Sequence, residues 1–167
     1  IVSFEIEQMI MPRLSGPYVP RFVALGGFEA EPFIVMERIQ GAPLSIRLRD
    51  LPLPAEEVAR IGAAVADALD ALHHQHVVHR DVKPANIMFR EDGTAVLIDY
   101  GLAHHDHLPD LMAEEFRLPY GTTPYMAPEQ ALGIRNDPRS DLFSLGAVMY
   151  QLATADLPFG EPQHLKG

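Results

Sequence analysis

Apolar positions recur along this chain with two different periods, and each change of period marks an element. Phe4, Ile6, Met9, Ile10 and Leu14 keep a spacing near 3.6 and predict a helix that ends at Ser15-Gly16-Pro17. Residues 22–28 and 32–39 read as two short strands, the second with the run Phe33-Ile34-Val35-Met36, and Gly26-Gly27 with residues 29–31 lie at the turn. Gly41-Ala42-Pro43 breaks the pattern as a linker would. Residues 44–48 form a short helical stretch that Pro52 and Pro54 interrupt. From Pro54 onward Val58, Ile61, Val65, Leu69 and Leu72 fall at i+3 and i+4, which predicts a long amphipathic helix. Glu56 and Glu57 sit in its first turn, where the helix dipole favours anions, and five alanines between residues 63 and 71 add helix propensity. Two strand-like runs, 87–89 and 94–98, are joined through Glu91-Asp92-Gly93 and predict a hairpin. Residues 137–154 give the last helix, with Leu142, Leu145, Val148, Met149 and Leu152 on one face, closed by Leu157-Pro158-Phe159-Gly160.

Between the long helix and the hairpin lies a polar interruption, HRDVKPAN at residues 79–86. It sets an Asp, a Lys and an Asn on one short loop held between two apolar elements. Such a set suits phosphoryl transfer to a hydroxyl, which needs an acceptor for the hydroxyl proton, cations around the phosphates and close placement. Asp81 is the candidate base, and Lys83, two residues on, can neutralise charge on the transferred group. Asn86 and Asp99 offer hard oxygen ligands of the kind Mg2+ takes.

The octapeptide resembles the catalytic loop of eukaryotic-type serine/threonine protein kinases, H-R-D-x-K-x-x-N. It is followed in order by Asp99-Tyr100-Gly101 for D-F-G, by Gly121-Thr122, and by Ala127-Pro128-Glu129 for A-P-E. The resemblance implies an α+β, protein-kinase-like fold: a partial small lobe over residues 1–39 and a partial, mainly helical catalytic lobe over residues 40–167. It implies Asp81, Lys83 and Thr122 as catalytic residues. Asn86 and Asp99 would hold Mg2+ or Mn2+; Met36 as gatekeeper and a hinge from Glu37 to Ile39, with Lys83, would meet ATP. Glu7 matches the glutamate of the small-lobe helix, Glu129 the A-P-E glutamate, and Asp141 the aspartate that accepts backbone N–H groups from the H-R-D turn. The expected partners are proteins with Ser/Thr acceptors, and the family relatives implied are bacterial.

Several departures shape the functional expectation. Tyr100 replaces the usual Phe and brings a hydroxyl that wants a partner if buried. Residues 102–121 contain no Ser or Thr, and Tyr120 is their one hydroxyl. Glu114 or Glu115 is therefore expected to pair with Arg80 and order this segment without phosphorylation; unchanged activity on replacing both by alanine would sink that idea. There is no G-x-G-x-x-G loop, and the only lysines are Lys83 and Lys166. A fragment of an active kinase, poorly active by itself, is the expectation, since Ile1 opens the chain in place of a Met. A truncated pseudokinase serving as a binding module is the alternative. A small-molecule phosphotransferase of the aminoglycoside type, whose loop resembles H-G-D, fits less well with Arg80, Lys83 and the A-P-E segment.

Composition narrows this further. Across 167 residues, 47% are hydrophobic and 22% charged, as in ordinary globular domains. A formal charge of −10 argues against a nucleic-acid partner. Without cysteine there is neither a disulfide framework nor a thiolate metal site. His73, His74, His76, His104, His105 and His107 lack spaced carboxylate or thiolate partners and are not read as metal ligands. No apolar run reaches the roughly 18 residues of a membrane span and no basic-then-apolar signal opens the chain, so a cytoplasmic location is expected. Dimerisation is left to segments outside the chain.

Overall fold

The computed structural model describes residues 2–27, 31–112, 122–134 and 136–160. The chain opens with α1 (Val2–Ile10), which passes into a 3-10 turn at Met11–Arg13 because the ring of Pro12 cannot continue an α-helix. Its buried side chains are Ile6, Ile10 and Met11. Strands β1 (Phe22–Gly26) and β2 (Phe33–Met36) pair antiparallel, both shorter than the sequence pattern predicts. Val23, Leu25, Phe33 and Val35 stay about half exposed on this two-stranded sheet.

Strand β3 (Gly41–Pro43) joins a three-stranded antiparallel sheet with β5 (Ile87–Arg90) and β6 (Ala95–Leu97), in the order β3-β5-β6. A side chain on Gly41 would lie 1.9 Å from the Phe89 carbonyl oxygen, so only glycine allows this pairing. The linker expected at residues 41–43 is therefore an edge strand, followed by a 3-10 helix at Leu44–Arg49. Helix α2 (Ala55–His73) buries Val58, Ile61, Val65, Leu69 and Leu72, the row set by its sequence period. It packs on β6 and on α4 (Arg139–Thr154). Gly62 opens room for the Met149 thioether at that crossing, since a Cβ there would approach it to 2.6 Å. In α4 the buried row is Asp141, Leu145, Val148 and Leu152; Leu142 lies one position off it and is half exposed, contrary to its expected place on the buried face. A short α3 (Pro128–Ala131) precedes α4.

One small sheet ties the start of the polar loop to a segment beyond the hairpin. Strand β4 (Val77–Val78) pairs with β7 (His104–His105), bringing together histidines that the sequence keeps far apart. The rings of His76 and His107 lie 4.9 Å apart and those of His105 and His107 5.6 Å apart. Burial lowers the pKa of His104, aided by Arg80 and opposed by Asp110 and Asp106. Burial also lowers that of His105, aided by His107 and Arg13, opposed by Asp106, with His76 adding a smaller push downward. Folded-state values below the unfolded ones mean that the unfolded chain binds protons first, so stability falls as pH drops through the ordinary histidine value of 6.5. Thermal unfolding between pH 8 and 5 should show this decline, and His105→Gln should flatten it; an identical slope in the variant would contradict the assignment.

Candidate active site

The polar loop leaves β4, turns sharply and ends in a 3-10 turn at Pro84–Asn86 that feeds β5. Arg80 adopts a left-handed conformation, φ 66°, which is unfavourable for a residue with a Cβ and must be held by its surroundings. Asp141, fully buried at the start of α4, supplies part of that hold. Its Oδ1 accepts the Arg80 N–H (2.8 Å), and its Oδ2 accepts the His79 N–H (2.8 Å) and bonds His73 Nε2 (2.9 Å). A solvated first-turn carboxylate would serve a helix dipole; this one serves a loop some 60 residues earlier in the chain.

Asp81 lies at the centre of the site, only 8% exposed. Its Oδ1 accepts the Thr122 hydroxyl (2.7 Å) and the Thr122 N–H (3.1 Å). Its Oδ2 accepts Lys83 Nζ (2.6 Å) and Asn86 Nδ2 (3.0 Å). Burial pushes this carboxyl up, but hydrogen bonds from Lys83 and Thr122 and the Lys83 charge outweigh it and hold the group below its ordinary value. Lys83 also donates to Thr122 Oγ1 (2.9 Å), so Asp81, Lys83 and Thr122 form a closed triangle.

Asn86 turns its Nδ2 to Asp81, both side chain and carbonyl, which leaves its amide oxygen as an acceptor. Asp99, also at positive φ (66°), is exposed; its Oδ1 accepts the Gly101 N–H at 3.3 Å. Burial raises the pKa of Glu7, and the nearby Asp99 charge raises it further, against a hydrogen bond from the Tyr100 backbone. Helix α1 thus presents its glutamate to the Asp99-Tyr100-Gly101 turn. The Tyr100 ring is fully buried 5.2 Å from the ring of His79, and its hydroxyl donates to the Leu97 carbonyl (3.1 Å). His79 Nε2 bonds the Ile98 carbonyl (3.1 Å). The extra hydroxyl of Tyr100 therefore has its partner within the core.

The Arg80 guanidinium grips Asp110, 2.8 Å and 3.4 Å between its two nitrogens and the two carboxylate oxygens. Glu114 and Glu115, the carboxylates expected at Arg80, lie outside the described residues. His104 Nδ1 stands 3.6 Å from the same Asp110 carboxylate. Asp110→Ala should lower stability by about 1.5–3 kcal/mol, the range for hydrogen bonds to charged groups, read as a shift of the urea midpoint. A shift within error would make this ion pair incidental.

At the strand end, Met36 pairs with Phe22 and packs against the core, and Ile39 is buried. Glu37 is held by Arg90 (2.6 and 3.2 Å) and by the Arg21 N–H (3.2 Å), and Arg90 lowers its pKa. Glu129 is partly buried, with Arg139 near enough to feel its charge while bonding Asp137. The residue after it, Gln130, is the buried polar one. Sequence reasoning passed over Gln130, Asp110 and the pairing of His73 with Asp141; nothing in their local spacing marks them.

Known proteins show the family of this chain. Residues 3–166 match the protein kinase domain. The chain is 31% identical over 160 residues, 95% of its length, to the probable serine/threonine-protein kinase PknB of Lactococcus lactis. It is 34% identical over 160 residues to the serine/threonine-protein kinase PknL of Mycobacterium tuberculosis, again covering 95% of the chain. To the probable serine/threonine-protein kinase PknB of Corynebacterium glutamicum it is 40% identical over 129 residues, 77% of the chain. It spans 25%, 40% and 20% of the length of these three relatives. With the ordered H-R-D, D-Y-G and A-P-E segments and a match that runs through all three, the chain belongs to the protein kinase domain family.

Proposed function

We propose that this chain carries the phosphoryl-transfer centre of a protein serine/threonine kinase. The observation that carries the reading is Asp81: a buried, ionised carboxylate held at once by Lys83, Thr122 and Asn86. Asp81 accepts the proton of the acceptor hydroxyl, and its depressed pKa keeps it in the base form across the physiological range. Lys83 and Thr122 fix its orientation, and Lys83 moderates the negative charge that gathers nearby. Residues 1–39 act as a small-lobe portion and residues 40–167 as a large-lobe portion, with Met36, Glu37 and Ile39 along the adenine edge between them.

The donor set fits a hard divalent cation. Asn86 keeps an amide oxygen free of Asp81, and Asp99 is an exposed carboxylate. Such a pair would leave the remaining coordination of Mg2+ to phosphate oxygens and water, as is usual for that ion. Mg2+ or Mn2+, when bound with ATP, neutralises phosphate charge. Asn86 and Asp99 are the residues that would hold it, Asn86 already being fixed through Asp81. No helix among the described residues is long and apolar enough to cross a membrane, and the acceptors proposed are Ser and Thr of proteins in the cytoplasm.

The test uses the longest natural reading frame containing these residues, with γ-labelled ATP, Mg2+ and a panel of proteins. Label recovered as phosphoserine or phosphothreonine is the expected result. Nucleotide binding without transfer would replace this reading with a binding module, and label on a small-molecule hydroxyl alone would replace it with a small-molecule phosphotransferase.

A further inference from the structure

The turn that presents Asp81 depends on a residue, Arg80, whose two flanking peptide groups are each clamped by a buried side chain, and one of the clamps lies in a segment with no evident chemistry. Gln130, in α3, is 4% exposed. Its Nε2 donates to the Arg80 carbonyl (3.0 Å), and its Oε1 accepts the Ala127 N–H (3.0 Å). These two partners, one acceptor and one donor, fix which way the amide points. The Arg80 N–H goes to Asp141, so both backbone polar groups of this left-handed residue are taken by buried side chains from different helices. The next residue is Asp81.

We infer that Gln130 is a positioning residue for phosphoryl transfer, holding the Arg80–Asp81 peptide so that the Asp81 carboxylate faces the acceptor hydroxyl. The inference rests on the kinase reading above. Geometry gives it a second consequence. Thr122, which bonds Asp81 directly, and Gln130, which bonds the residue before it, stand eight positions apart on one stretch of chain. That stretch meets the catalytic loop at the Asp81 carboxylate and again at the Arg80 carbonyl, so Gln130 sets its register against Asp81. An amide is needed: an ionised glutamate of the same shape has no donor for the Arg80 carbonyl, and methionine has neither function.

Two variants and two readouts decide the matter, in the longest natural reading frame. Gln130→Met should lower kcat roughly 10- to 100-fold, the scale for a misplaced catalytic group, with the KM for ATP little changed. Gln130→Glu should show a pH signature. Its buried carboxyl, facing a carbonyl oxygen, has a raised pKa, and only its protonated form can donate to Arg80. Its kcat relative to wild type should therefore rise as pH falls from 8 to 6, which loss of packing would not produce. Amide hydrogen exchange across residues 79–82 needs no turnover and should quicken in Gln130→Met. Unchanged kcat, a pH-independent ratio, unchanged exchange, or failure of both variants to fold would overturn the proposal. A wild-type protein that transfers no phosphate defeats the kinase reading instead, and the exchange measurement then decides this one.

Discussion

Asp81→Asn is expected to cut turnover by about 10²- to 10⁴-fold, the usual contribution of a positioned base, while the KM for ATP moves little. The carboxylate collects four hydrogen bonds from Thr122, Lys83 and Asn86, yet as an anion it can still receive a proton from a hydroxyl. Asparagine is nearly the same size but offers one accepting oxygen in place of two. Its NH2 group must then face Lys83 and Asn86, or Thr122, all of which already donate. The variant therefore loses both the base and part of its orientation. The depressed pKa of Asp81 adds a pH expectation. Since the group is held below its ordinary value, stability from its bonds is present at neutral pH and lost only as pH falls through that lowered value. Protonation of Asp81 should thus not limit the rate of the native protein between pH 6 and 8. Steady-state kinetics of the two proteins across that range is the measurement. A variant within tenfold of the native turnover would remove Asp81 from the role of base.

The largest effect on stability is expected at Asp141. Asp141→Ala leaves the His79 and Arg80 amides and the His73 ring without the oxygens they bond, all beneath α4. Hydrogen bonds to charged groups contribute about 1.5–3 kcal/mol each, and the bonds of one carboxylate do not simply add. The expected loss is about 3–5 kcal/mol, comparable to breaking a buried ion pair and a large share of the 5–15 kcal/mol typical of a domain. Asp141→Asn keeps the volume and one acceptor, so it should cost less. Urea unfolding of the three proteins checks the order native, Asn, Ala. An alanine variant within 1 kcal/mol of native would show that water replaces the carboxylate, and that the Arg80 turn holds itself.

The elements were legible where one period persists. The row from Val58 to Leu72 made α2 visible along most of its length, because a helix that buries one face must repeat its apolar residues at helical spacing. Strands were legible in type but not in length. Residues 22–28 and 32–39 are apolar enough for longer strands, yet pairing stops at Gly26 and Met36, since ladder hydrogen bonds require a partner as well as a side-chain pattern. At Gly41-Ala42-Pro43 the local reading was a break, whereas the structure makes an edge strand. A proline without an N–H is tolerated at an edge, and the Gly41 backbone fits against Phe89.

At the site, residue order was enough to reveal the family and the chemical candidates: Asp81, Lys83 and Asn86 share one short loop, and Asp99 comes just after the hairpin. Local spacing suffices there because a short loop between rigid elements keeps its side chains together. The resemblance pointed to Thr122 and Asp141 as well, but Gln130 and Asp110 emerge only on folding, and every one of these contacts spans a long stretch of chain. Thr122 reaches Asp81 across 41 positions, Asp141 reaches Arg80 across 61, and Gln130 across 50. Asp110 meets the Arg80 guanidinium from 30 positions away. Hydrogen bonds of this kind leave no period in the chain, because a buried polar group selects its partner by direction and distance in the folded core, where an unmet donor or acceptor is costly.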